Sequence, residues 1–213
     1  MRVDEEFVFA RVADERRALA ALIDGLDDAQ LATPSLCAGW DVKTVAAHLV
    51  SDFADGFRGF QAAAVRHLGI HRGIDALARR RAQLPAADIA ASLRDGADHR
   101  LSPPMAGPVS GLADVLVHGG DIRIPLGLTF DPDPDLVSLV LDFLTGFRAV
   151  AFVPFGRLRG ISLRASDVGR SWGKGAELHG PASALMMAAC GRGALSDQLD
   201  GPGLSILMNR GIR

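Results

Sequence analysis

Five runs of apolar residues at helical spacing precede residue 150, and clusters of Pro and Gly separate them. This pattern commits most of the chain to amphipathic helices, because each apolar stripe has to be buried against another. The first run, residues 4–25, carries Val8, Val12, Leu19, Leu22, Ile23 and Leu26. A loop from Thr33 to Trp40 holds Pro34 and Gly39. Asp41 then reads as the N-cap of a long helix reaching about His67, with the stripe Val42, Val45, Leu49, Phe53, Phe57 and Phe60. A third helix is expected over about 86–100. The segment LSPPMAGPVSG (101–111) reads as a loop, since its prolines exclude regular structure. A fourth helix is expected from about Leu112 to Ile124, stopped by Pro125 and Gly127. A fifth covers 131–147, with Pro134 in its first turn.

The pattern changes after about residue 155. GISLRASD (160–167) alternates like a strand, and GAELHG (175–180) is expected to pair with it across a turn near SWGKG. PASALMMAAC (181–190) reads as a short helix opening at Pro181, SDQL as a single turn, and GLSILM (203–208) as a last strand. The expected fold class is mainly α with a small α/β C-terminal part. Residues 1–150 form the helical bundle and 156–213 an α/β unit that is too small to fold alone without docking.

Composition narrows the function. The chain has 213 residues, is 48% hydrophobic and 23% charged, and carries a net charge of −2. Its mean hydropathy is +0.19. A core of that richness argues for a globular protein, and the charge balance offers no basic field for nucleic acid. No apolar run is long enough to span a bilayer, and no polybasic anchor is present, so no membrane partner is expected. The opening MRVDEEFVFARVADERR lacks the apolar core of a signal peptide, which predicts a cytoplasmic protein. Cys37 and Cys190, distant in sequence, are expected as free thiols. The 21 Arg against 2 Lys read as the codon bias of a GC-rich genome, compatible with an actinobacterial source.

The sharpest chemical candidate lies on the fourth helix, Asp114-Val-Leu-Val-His118-Gly-Gly-Asp121. Asp114 and His118 are one turn apart on one face, and Asp121 is three residues further. Leu112, Val115, Leu116, Val117 and Ile122 surround them, so the polar stripe is aimed at something specific. A carboxylate and an imidazole so placed can both reach one divalent ion. His48 on the second helix has Thr44 and Asp52 one turn away on either side. If the two helices face each other, His48, Asp114 and His118 make a 2-His-1-carboxylate set suited to zinc or iron(II). The alternative for each is a hydrogen-bonded polar residue with no metal. Asp52 and Asp121 are placed to orient a His ring through its second nitrogen. Arg123 can pair with a carboxylated ligand or simply with a surface acid. Gly119 and Gly120 sit mid-helix, where each costs about 1 kcal/mol relative to Ala, and so suggest a close approach. His67, His71, His99 and His179 read as surface histidines, Cys37 as a small buried residue, and Trp40 as an anchor for its loop.

TPSLCAGWDVKTVAAHLV (33–50) resembles the N-terminal signature of the mycothiol-dependent maleylpyruvate isomerase-like family, within the DinB-like metal-binding superfamily. LVHGGDIRIPLGL (116–128) resembles that family's second signature. The segment from Gly156 to Met208 resembles the small C-terminal domain attached to many members. The resemblance implies a DinB-like four-helix bundle followed by a small sterol-carrier-like α/β domain. It implies a divalent metal, usually zinc, held at the positions of His48, Asp114 and His118. The metal activates the thiol of mycothiol, which adds to an electrophilic substrate and gives isomerisation or S-transfer. The family's usual Glu is Asp114 here, one methylene shorter, so the site has to contract around the ion, bind it weakly, or have lost it.

The expected function is therefore a metal- and mycothiol-dependent isomerase or S-transferase acting on a small electrophile. Asp52, Asp121 and Arg123 would support the metal or hold the substrate. The main alternative is a non-catalytic DinB-like protein whose degenerate site binds a small ligand or partner. Metal-dependent hydrolysis ranks third, since only Asp52 or Asp121 offers a separate general base. The expected partners are a small-molecule substrate and a thiol, with the chain a monomer or homodimer.

Overall fold

The computed structural model describes residues 4–103, 106–149 and 151–212, without the side chains of Phe57 and Arg58. The expected loop residues Pro104 and Met105, and the Phe57 side chain of the second stripe, thus lie outside the described residues. The chain is mainly helical with a small three-stranded sheet near its C-terminus. It forms two compact units, one from 1–101 and 121–128, the other from 102–120 and 129–213. No described helix is long and apolar enough to cross a membrane.

The first unit opens with α1 (Glu5–Asp24), whose N-cap Asp4 accepts from the Glu6 and Phe7 amides. Glu5 and Glu6 place negative charge where the helix dipole is positive. The expected stripe is buried at Val8, Val12, Leu19 and Ile23. Arg16 is buried among them and donates to the carbonyls of Gly96 at 3.4 Å, Ala97 at 3.2 Å and His99 at 2.8 Å. A short helix, α2 (Asp28–Leu31), follows inside a capping box of Asp27 and Gln30. Its four residues are too few to show a period in the sequence.

Asp41 caps α3 (Val42–Ala54) as expected, accepting from the Thr44 amide at 2.7 Å. The expected run to His67 is not one helix. It breaks at Asp55 and resumes as α4 (Gly56–Arg66), because Gly56 takes φ +61°. Asp55 receives Arg80 at 2.5 Å and Arg81 at 3.0 Å at this break. Both arginines lie on α5 (Ile70–Arg81), a helix the apolar pattern did not reveal. Its buried face is only Gly73, Leu77 and Ala78, too small to stand out between arginines. α6 (Ala86–Asp95) is shorter than the expected 86–100, ending at Gly96 under the Arg16 guanidinium.

In the second unit, α7 (Val109–Arg123) runs through to residue 120 before its last turn joins the first. α8 (Pro134–Leu144) carries Pro134 in its first turn behind the N-cap Asp133. The strands β1 (Ile161–Ala165), β2 (Ser171–Gly173) and β3 (Ala176–Gly180) make a sheet of order β2-β1-β3. The hairpin partner of β1 is β2, paired antiparallel with Leu163 opposite Trp172. β3 does pair with β1, but parallel, with Leu163 opposite Leu178, so the expected simple turn between them is replaced by the β2 detour. The Trp172 indole donates to Asp142 at 2.7 Å, and Arg170 reaches Ser138 and Asp142, tying the sheet to α8. α9 (Ala182–Ala189) is buried at nearly every position and packs on α8 and the sheet. The last element is α10 (Pro202–Asn209), a helix where a strand was expected. Gly201 at φ +104° followed by Pro202 in the first turn is a helix start.

One close approach is testable. A Cβ on Gly73 would stand 2.7 Å from the Ala64 nitrogen and 2.9 Å from the Ala63 carbonyl carbon, so α4 and α5 meet backbone to backbone. Gly73→Ala gains about 1 kcal/mol of helix propensity. It loses roughly 1–3 kcal/mol to overpacking against atoms that cannot yield. The expected outcome is a lower Tm by calorimetry, and a raised Tm would contradict the close packing.

Candidate metal centre

His48 lies at the centre of α3, a helix buried over most of its circumference. Its exposure is 7%. The ring meets Trp40, with centroids 5.2 Å apart and planes tilted by 49°. Its Nδ1 stands 3.8 Å from Asp52 Oδ1, one turn along the helix.

Trp40 is itself fixed. Its indole N–H donates to Asp75 Oδ1 at 2.8 Å, and Arg79 Nε donates to the same oxygen at 2.8 Å. Arg79 also donates to the Gly39 carbonyl at 2.8 Å. Trp40 thus anchors its loop, as expected, but the residues that hold it come from α5. The one sequence signal for them was Asp75 and Arg79 at helical spacing of four. The same loop bonds through the Leu36 amide to the Asp121 carbonyl at 3.3 Å.

On α7, Leu112, Ala113, Val115, Leu116, Val117 and Ile122 are buried. Asp114 and His118 interrupt this apolar surface, with His118 Nε2 3.5 Å from Asp114 Oδ1. Their side chains are 15% and 11% exposed, so both point away from bulk water. Asp121 is fully buried. The glycine reading holds at Gly120, where a Cβ would stand 2.8 Å from Met187 Cε and 3.0 Å from Phe130 Cζ. His67, His71, His99 and His179 are exposed, as expected. Neither Cys37 nor Cys190 is in a disulfide; Cys190 is buried and Cys37 half-buried.

The family described as the mycothiol maleylpyruvate isomerase N-terminal domain matches residues 12–109. This region of the chain is similar to that family. The family match takes in His48, Trp40 and the whole of α3, and stops at the start of α7. The chain is also similar to a crystal structure of the mycothiol-dependent maleylpyruvate isomerase, with 13% identity over 94% of this chain and 93% of that one, at a TM-score of 0.64. A second structure, of the same enzyme with one histidine replaced by alanine, matches at 12% identity with the same coverage and a TM-score of 0.64. At such identities the likeness establishes a shared fold. No curated protein matches the chain.

Arg123, in the last turn of α7, is half-buried, and the Glu15 charge acts on it. Burial holds its guanidinium below its ordinary value, and the Glu15 charge raises it. Burial pushes the Glu15 carboxyl above its ordinary value, Arg123 pulls it back, and Asp14 raises it again. A carboxyl with a raised native pKa favours the folded state while protonated. Its contribution is complete below the unfolded value and is lost as pH rises through the native one. Glu15→Gln is therefore expected to flatten the fall in Tm as pH rises above the ordinary glutamate value of about 4.3. An unchanged Tm–pH profile would show that Glu15 carries no such penalty.

Proposed function

We propose that this protein is a divalent-metal-dependent, mycothiol-using isomerase or S-transferase acting on a small electrophile in the cytoplasm. In this reading His48, Asp114 and His118 each supply one ligand atom to a single ion. Two neutral imidazoles and one carboxylate are a donor set zinc accepts while keeping a position open. The supporting observation is that, among the described residues, these three are the group of His, Cys, Asp and Glu side chains fit to hold a metal. The 3.5 Å approach of Asp114 and His118 within an apolar helix agrees with it. The family of residues 12–109 supports mycothiol as the thiol.

A divalent ion held there would lower the pKa of a bound thiol and so supply a thiolate at neutral pH. The chain's own residues do the rest. Asp52, 3.8 Å from His48 Nδ1, helps to orient the ring for ligation. The apolar side chains around Asp114 and His118 keep water from the pair and strengthen its charge interactions. Asp121 supports the ligand helix from within. Arg123, its charge balanced by Glu15, is the candidate for a substrate carboxylate. The division into a bundle over 1–150 and an appended α/β domain over 156–213 belongs to the same proposal.

The direct test is turnover of maleylpyruvate, and of other small unsaturated dicarboxylates or epoxides, with zinc and mycothiol present. Activity that needs both, and that His48→Ala and His118→Ala abolish, is the expected outcome. Retained turnover in both variants would overturn the assignment, and turnover without thiol would favour hydrolysis. One feature favours a second reading: Asp114 is one methylene shorter than the Glu that the family resemblance implies there. A non-catalytic protein with a degenerate site would show no zinc-induced rise in Tm.

A further inference from the structure

We infer that Trp40, clamped by Asp75 and Arg79 of α5, is a positioning residue that sets the His48 ring for metal ligation. This rests on the metal-centre reading above and adds residues to it that touch neither metal nor substrate.

His48 has freedom about two side-chain torsions, and the second is soft for an imidazole. The backbone of α3 places the Cβ but does not choose the ring's direction. The neighbours of the ring in the first unit include Asp52 and Trp40. Asp52 is 3.8 Å from Nδ1, longer than a hydrogen bond, so it biases the ring without locking it. The Trp40 indole meets the ring with centroids 5.2 Å apart and restricts it by contact. A contact restrains only if the contacting group is itself held, and Trp40 is held at its far edge. Its N–H donates to Asp75 Oδ1 at 2.8 Å. Asp75 is in turn fixed by Arg79 Nε at 2.8 Å, and Arg79 closes the clamp on the Gly39 carbonyl at 2.8 Å, next to Trp40 itself.

The composition of the clamp argues for positioning over stability. The Asp75 and Arg79 side chains are 44% and 52% exposed, and an ion pair so exposed adds little to folding. What it does is hold a large aromatic ring against one buried histidine. Indole suits the task because it offers a broad face to the imidazole and a single donor at the opposite edge. The loop that bears Trp40 also bonds Leu36 to the Asp121 carbonyl on α7, three residues after His118. One short loop therefore touches both helices that carry ligand residues.

The experiment compares the wild type with Asp75→Ala and Asp75→Asn, a half-exposed position where neither change empties the core. Zinc affinity is measured by competition with a chromophoric chelator. In the same three proteins, without metal, the His48 ring protons are followed by NMR for the ring-current shift that Trp40 imposes. Outer partners of metal ligands are typically worth about 10–100-fold in affinity. Asp75→Ala is expected to weaken zinc by at least about 10-fold and to move the His48 resonances toward free-imidazole values. Asp75→Asn, which still accepts from the indole, is expected to stay near the wild type in both. Unchanged zinc affinity and unchanged His48 shifts in Asp75→Ala would overturn the inference. If the wild type binds no zinc, the metal reading fails on its own. The metal-free His48 shifts then decide whether the clamp positions the ring, movement in Asp75→Ala supporting it and no movement overturning it.

Discussion

A carboxylate and an imidazole held 3.5 Å apart on an otherwise apolar, buried helix surface is the constraint around which the account turns. Polar groups persist in such surroundings only when their hydrogen-bonding and charge requirements are met. Leu112, Val115, Leu116 and Val117 pack the rest of α7 so that its backbone cannot drift. Gly120, against Met187 and Phe130, lets neighbouring side chains come closer than a Cβ would allow. The apolar packing thus does two jobs: it stabilises the helix, and it fixes the direction of Asp114 and His118.

The first unit answers with a comparable device built from different parts. Arg16 donates to three carbonyls of the segment that follows α6, those of Gly96, Ala97 and His99. Asp55 gathers Arg80 and Arg81 where α3 gives way to α4. These contacts fasten α5 and α6 around α3, whose central His48 is left 7% exposed. Arginine does most of this work, which a protein with 2 Lys and 21 Arg can supply. Its planar fork reaches several oxygens at once, where an ammonium would act as a point charge.

What the sequence disclosed, and what it hid, follows from how each element is stabilised. Helices with a broad apolar stripe were legible, as were the Asp41 cap of α3 and Pro134 in the first turn of α8. Asp114 and His118 stood out because their surroundings were apolar. α5 was hidden because its buried face is a glycine, an alanine and a leucine, and arginines dominate its period. The break at Gly56 was hidden because the apolar stripe continues across it, while the backbone does not. The final helix was misread as a strand from its apolar run, where the deciding signal was Gly201 and Pro202. The parallel pairing of β1 and β3 is a matter of chain routing through β2, which alternation alone does not encode. The Trp40–Asp75–Arg79 clamp joins residues 35 apart in sequence, and no local pattern announces it.

The most direct test of the central claim is a crystal structure of the protein grown with zinc, with anomalous data collected on either side of the zinc absorption edge. The account predicts one strong anomalous peak within about 2.0–2.2 Å of a nitrogen from each of His48 and His118 and an oxygen of Asp114. A peak held by other residues, or none at these three under saturating zinc, would contradict it.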